Sequence, residues 1–336
     1  MKSASLALWL SLSVSAASFA CGSSQKPPPD PDPSTKPAPS PASMPEVVAG
    51  KSARDAKRLD EARSDFAAAL TKKPDDVEAN YYLALTYDDL GEKKDAETYY
   101  KKTLELNPAA AEAATNLSAL YLDQNRIDEA IAVCTAAIAR SPQYDLLHFN
   151  LARARSSKPR GDGATPEFQA AIKITPDNPD FHLTYAIWLA ASAKGDATQM
   201  TSSIGEANSA LALAKEDADL LLRIGAFFAK VKDPDDCVKA LDRSIARSDA
   251  APARIIRGRC KFGKKDNDGA EKDLRAAIAS DASSGDAYYW LGFVLHAGKR
   301  DDEAIGAFQN CQRIDPSGPL GKAATARIAD IKSAKH

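Results

Sequence analysis

The sequence lacks the patterns that mark common enzyme chemistry. No GxGxxG or GxxxxGK[ST] loop is present to cradle a phosphate, and neither HExxH nor GxSxG occurs. There is no CxxC pair, so zinc binding and thiol exchange have no signature. Charge of one sign is also missing. Forty-four Lys and Arg against 46 Asp and Glu leave a net charge of −2, which gives nucleic-acid binding no electrostatic support. Runs with strand-like alternation are hard to find, so the chain reads as all-α. Long apolar stretches are absent after residue 20. What remains is 44% hydrophobic and 27% charged over 336 residues, ordinary for a folded soluble chain.

What the chain does have is repetition. Pro74, Pro108, Pro142 and Pro176 are each 34 residues apart, and so are Ala62, Ala96, Ala130 and Ala164. Counting from Val77 as position 1, positions 4, 7, 8 and 11 (Asn80, Leu83, Ala84, Tyr87) share one face of a helix at 3.6 residues per turn. Positions 20, 24 and 27 (Ala96, Tyr100, Thr103) do the same on a second helix. Small residues at positions 8 and 20 let the two helices approach. Leu90-Gly91 turns the chain, and the proline at position 32 ends the second helix.

This pattern resembles the tetratricopeptide repeat (TPR) family. The resemblance implies a right-handed superhelix, an α-solenoid of about eight helix-turn-helix repeats over 46–318, with Pro319–Lys335 as a one-sided C-terminal capping helix within 319–336. The expected copies start near Ser43, Val77, Ala111, Asp145, Pro179, Ala218, Ala251 and Gly285. In the fifth copy the second helix looks late, which predicts an enlarged turn at Lys194–Ile204.

Ahead of the array, Met1-Lys2 and the apolar stretch Ala4–Ala20 read as an export signal covering residues 1–20. Cys21, with Ala20 before it and Gly22-Ser23-Ser24 after it, resembles the lipobox of bacterial lipoproteins, although Ser18 stands where that family prefers leucine. The resemblance makes Cys21 the lipid attachment site and, because residue 22 is not aspartate, implies the outer membrane, facing the periplasm. Plain cleavage after Ser18-Phe19-Ala20 is the other reading. Gly22–Pro45 holds nine prolines and few large apolar residues, a composition suited to a tether (21–45 with the cysteine) or to proline-rich recognition.

Of the remaining cysteines, Cys134, Cys237 and Cys311 occupy core positions. Cys237 and Cys260 fall on consecutive helices, where a bridge and simple packing are both open readings. His148 and His182 share position 4 of adjacent copies, either as a metal pair or as flat packing residues, and packing is favoured because no further ligand joins them. No cofactor is expected.

In TPR proteins the concave face is lined by the first helix of each copy. The resemblance therefore assigns partner binding to Tyr81, Leu85, Asp88, Phe149, Arg153, Leu183, Ile187, Leu222, Arg259, Tyr289 and Phe293. The family's carboxylate clamp needs Lys and Asn at positions 5 and 9; here Tyr81/Leu85, Thr115/Ala119 and Phe149/Arg153 stand there, so the clamp is absent. The expectation is a non-enzymatic scaffold for a protein or peptide partner, membrane-anchored through lipid. The rival is a periplasmic carrier or sensor of a small ligand or metal using His148/His182 or Lys194–Ile204.

Overall fold

The computed structural model describes residues 43–334. The expected export signal, Cys21 and the expected tether up to residue 42 lie outside the described residues. Seventeen helices follow one another among the described residues. They pair as α1(Pro45–Asp55) with α2(Leu59–Lys72), α3(Val77–Asp89) with α4(Lys93–Leu106), α5(Ala111–Asp123) with α6(Ile127–Ile138), and α7(Asp145–Ser156) with α8(Ala164–Ile174). The second half pairs α9(Pro179–Ser192) with α10(Ala197–Leu213), α11(Ala218–Val231) with α12(Pro234–Arg247), α13(Ala251–Gly263) with α14(Asn267–Ser280), and α15(Gly285–Ala297) with α16(Asp301–Ile314). The last helix, α17(Pro319–Ala334), packs on both helices of the eighth hairpin, where the first helix of a ninth would sit. Each hairpin touches only its neighbours, as a solenoid requires.

The repeat logic fixes the packing. Ala62, Ala96, Ala130, Ala164, Ala270 and Ala304 are all fully buried, and all but Ala164 are the fourth residue of their helix. Opposite them runs a size exchange. Where the first helix carries a small residue at position 8, the second presents a large one at position 24, as in Gly50 against Phe66, Ala84 against Tyr100 and Gly292 against Phe308. Full burial of each such ring contributes about 1.5–3 kcal/mol. The approach is tight: a Cβ on Gly292 would lie 2.6 Å from Phe308 Cζ. Gly292→Ala is accordingly expected to cost about 1–3 kcal/mol by overpacking. Urea titration with hydrogen exchange on α15 and α16 checks it, and an unchanged stability would mean the contact is loose.

In the second, fourth and fifth copies, position 4 stitches the hairpin to the one before it. Asn80 Nδ2 donates to the Pro74 carbonyl at 3.1 Å and the Asp76 carbonyl at 2.8 Å. His148 and His182 reach the Pro142 and Pro176 carbonyls at the same place, each at 3.0 Å. The prolines therefore do more than stop a helix; their carbonyls, freed from the helix ladder, become acceptors for the next copy. Asp76, Asp217 and Ser284 cap first helices with side-chain acceptors.

Two features depart from the sequence expectation, and a third decides a question it left open. First, no enlarged turn exists at Lys194–Ile204. Asp196 caps α10 through the Thr198 and Gln199 amides, and the helix runs 17 residues from Ala197. Starts of α9 and α11 lie 39 residues apart, and most of the surplus is helix, leaving an exposed extra turn at the head of α10. Second, the turn between paired helices needs a left-handed residue, and only the second hairpin supplies glycine at the shared position (Gly91, φ 78°). Lys57, Asn125, Lys232, Lys265 and Lys299 take that conformation at the same place, with φ between 58° and 67°. Third, Cys237 and Cys260 are joined, tying α12 of the sixth hairpin to α13 of the seventh. Cys134 and Cys311 stay free and buried, and burial pushes both thiols up to about 11.

Candidate protein-binding face

First helices of successive hairpins lie side by side, α1 on α3, α5 on α7, α9 on α11, α11 on α13 and α13 on α15, and together they form one face of the array. All the residues assigned to partner binding sit on these helices, but not all are presented. Leu183 is fully buried in the core shared with Ala186, Ala207 and Leu221, so it offers nothing to a partner. Helix α9 is apolar nearly all round, which made its buried and open faces hard to tell apart. Tyr289 is also buried, 8% exposed, with its ring 5.7 Å from Phe308 and 5.0 Å from Phe293.

The rest line the face. Ile187 is 43% exposed, one of two large apolar side chains so open among the described residues. Leu85 and Leu222 are half-buried against their cores. Tyr81 is half-buried, its hydroxyl accepting from Asn116 Nδ2 of the next hairpin at 3.3 Å; burial pushes that phenol up to about 12. Asp88 pairs with Lys93 at 2.5 Å. Phe149 packs on Phe181 with centroids 4.6 Å apart, and the Arg153 guanidinium lies 5.9 Å from its ring centre.

The densest group is at the C-terminal end. Arg259 lies over Trp290 at 4.7 Å, Trp290 meets Phe293 at 5.6 Å, and Arg327 of α17 covers Phe293 at 5.4 Å. Trp290, Asn116 and Arg327 were absent from the sequence assignment. Trp290 and Asn116 occupy position 6, next to the assigned stripe at position 5, and a helix face at 3.6 residues per turn includes both. Arg327 falls at position 9 if the count runs on into α17.

The two histidines are each bound within their own hairpin and its junction. Nδ1 of His148 meets Glu167 at 2.7 Å and Nδ1 of His182 meets Glu206 at 2.6 Å, while both Nε2 atoms face the proline carbonyls. With both nitrogens of each ring engaged, the pair is not arranged to share a metal, and no group of three potential ligands occurs among the described residues. The rival small-ligand reading thus loses both features it rested on, the histidine pair and the enlarged turn.

His182 supplies a pH test. A carbonyl and a carboxylate both accept, so the doubly protonated ring satisfies both contacts and the neutral ring only one. The Glu206 hydrogen bond, opposed by burial and helped by the Pro176 carbonyl, raises its pKa above the ordinary histidine value. A group raised in the folded state stabilises fully below its unfolded pKa of about 6.5. That contribution fades as pH rises through the folded value. The fifth hairpin is expected to be better protected from hydrogen exchange, after correction for intrinsic rate, at pH 6 than at pH 8. His182→Gln should flatten the difference; an equal slope in the variant would assign it elsewhere.

Comparison with known proteins follows the same geometry. A family model described as tetratricopeptide repeat matches residues 47–111, 86–145, 120–179 and 257–319. The tetratricopeptide repeat and J domain-containing co-chaperone DNJ1 of Fusarium oxysporum f. sp. lycopersici is 27% identical over 213 residues, covering 60% of this chain and 40% of that protein. The chain therefore spans well under half the length of this relative. Among solved structures, a tetratricopeptide repeat protein from Parabacteroides merdae superposes with a TM-score of 0.52 at 14% identity, over 74% of this chain and 97% of that one. Yeast Tom70 gives 0.51 at 16% identity, over 86% and 64%. At such identities the structures speak to the fold alone. With the 34-residue period, eight packed hairpins and a family model matching most of the chain, the protein belongs to the tetratricopeptide repeat family.

Proposed function

We propose that the protein is a non-enzymatic scaffold, lipid-anchored through Cys21 to a bacterial outer membrane and facing the periplasm, which holds a protein partner on its first-helix face while an envelope, pilus or secretion complex is assembled. The observation that carries the reading is the face itself: half-buried aromatic and aliphatic side chains interleaved with arginines, with Ile187 open at its centre. Such surfaces bury apolar area against a partner and orient it with a few charges. The leader and lipobox-like residues support the anchor, and the Cys237–Cys260 bond is in keeping with an oxidising compartment.

Two experiments test the reading. A photo-crosslinking side chain at Ile187 in intact cells should capture a discrete protein; capture of nothing, or only of abundant bystanders equally trapped from the convex helices, overturns the scaffold. Cys21→Ala should move the protein from the membrane to the soluble fraction, and an unchanged distribution removes the anchor.

A further inference from the structure

We propose that the C-terminal end of the first-helix face is a receptor for an acidic segment of the partner protein, with Arg259 receiving a side-chain carboxylate and the cavity beside Phe293 taking a large apolar side chain next to it. This rests on the reading that the face holds a partner, and adds that partner's chemistry.

Helix α13 carries the argument by contrast. Arg254 is met by Asp249 and Asp273, and Arg257 by Asp242 and Asp273. At the other end of the array, Lys51 pairs with Glu78 and Arg54 with Asp89. Arg259 has no such ion-pair partner among the described residues; its Nε is buried with no hydrogen-bond acceptor, as is that of Arg54, but Arg54 keeps Asp89. The charge that acts on it is Asp286, whose own carboxyl burial pushes upward and which already takes a hydrogen bond from the Trp290 side chain. A half-buried guanidinium without an ion-pair partner carries a partial desolvation cost, which a carboxylate meeting its open edge would relieve. Stacking on Trp290 holds the plane and leaves the remaining N–H groups at its edge to bind.

The second observation is independent. Beside this group lies a cavity of about 280 Å³ walled by Phe293, Phe308 and Ile331, with Arg327 and His296 among its polar lining. That is at the small end of the roughly 300–1,000 Å³ range of ligand sites, a size for one apolar side chain rather than a cofactor. Arg327, paired with Asp330 at 3.2 Å, lies over Phe293 and bounds the cavity. Carboxylate receptor and apolar socket are thus joined through the Trp290–Phe293 contact, on one wall built by α13, α15, α16 and α17.

The test is selection of a random peptide display library on the folded protein. Enriched peptides should place Asp or Glu within a few residues of Leu, Phe or Trp. Changing that acid to its amide in the peptide, which leaves the protein untouched, should weaken binding at least tenfold. Trimming the apolar residue to Ala should do likewise, and Arg259→Met should match the amide change while Arg140→Met does nothing. Failure to enrich peptides, peptides without acids, binding indifferent to the amide change, or displacement by phosphatidylglycerol vesicles rather than by acidic peptide would overturn the proposal. Crosslinking at Ile187 persisting in Arg259→Met cells, with peptide selection negative, would retain the scaffold and remove this site alone.

Discussion

Asp273→Ala is expected to cost about 3 kcal/mol, the low end of the loss seen when one partner of a buried ion pair is removed. The carboxylate is 1% exposed inside the seventh hairpin, at the position that Asp65 and Glu167 occupy in the first and fourth. Arg257 reaches it through Nε at 2.8 Å and Nη2 at 2.5 Å, Lys261 at 2.9 Å and Arg254 at 3.4 Å. Burial alone would raise its pKa, but the hydrogen bonds from Arg257 and Lys261 outweigh that and hold it below the ordinary aspartate value. Truncation leaves three cations facing one void. The loss stays near 3 rather than 5 kcal/mol because Arg254 and Arg257 keep Asp249 and Asp242. Hydrogen exchange in α13 and α14 is the readout of choice, since a long repeat array need not unfold as one unit. Protection that survives the substitution would mean the cations are solvated and the network is ornamental. Because the folded pKa is depressed, the same contribution should be present above the unfolded aspartate value of about 3.9 and fade as pH falls through the folded one.

Loss of the Cys237–Cys260 bond should be comparable, about 3 kcal/mol for a loop of 23 residues by chain entropy. Its location gives the effect a direction. The bond joins two hairpins rather than two helices of one, so reduction should weaken the junction between the sixth and seventh copies while leaving each hairpin's own packing intact. Dithiothreitol is expected to lower protection in α11–α14 and leave α3–α6 unchanged. A Cys237→Ala, Cys260→Ala double variant should match the reduced protein and ignore reductant. Equal protection with and without the bond would show that Ala240, Leu241 and Ala253, all fully buried at the same junction, hold it unaided.

The fold was legible because its determinants recur. Prolines and alanines at fixed intervals set helix ends and close approaches, and the structure places Ala96 and Ala130 at equivalent points of successive hairpins. What escaped had other causes. Lysine in a left-handed turn has no sequence signature, since its Cβ disfavours the conformation that glycine adopts freely. The start of α10 was signalled by Gly195-Asp196, a left-handed glycine followed by a capping aspartate, but the apolar stripe that draws attention begins only at Ser203 and Ala207. Asp273 reads as a surface residue until three cations on the facing helix are counted at spacings of three and four. On the candidate face, the family resemblance put the stripe on the first helices. It could not decide depth, which is why Leu183 was assigned to a partner and Trp290 was not.

The surplus turn of α10 bears on modularity. In a perfectly periodic coil, any unit can be excised and its neighbours will close the gap, because every interface is a copy of every other. Removing the 34 residues from Ala111 should leave a shorter rod of unchanged pitch. Removing the 39 from Pro179 would instead delete the surplus turn that sets this hairpin apart in length from its neighbours. The protein is in that sense two stretches spliced at an irregular joint: shuffling of units should be tolerated ahead of the joint, whereas behind it the Cys237–Cys260 bond keeps the sixth and seventh hairpins together.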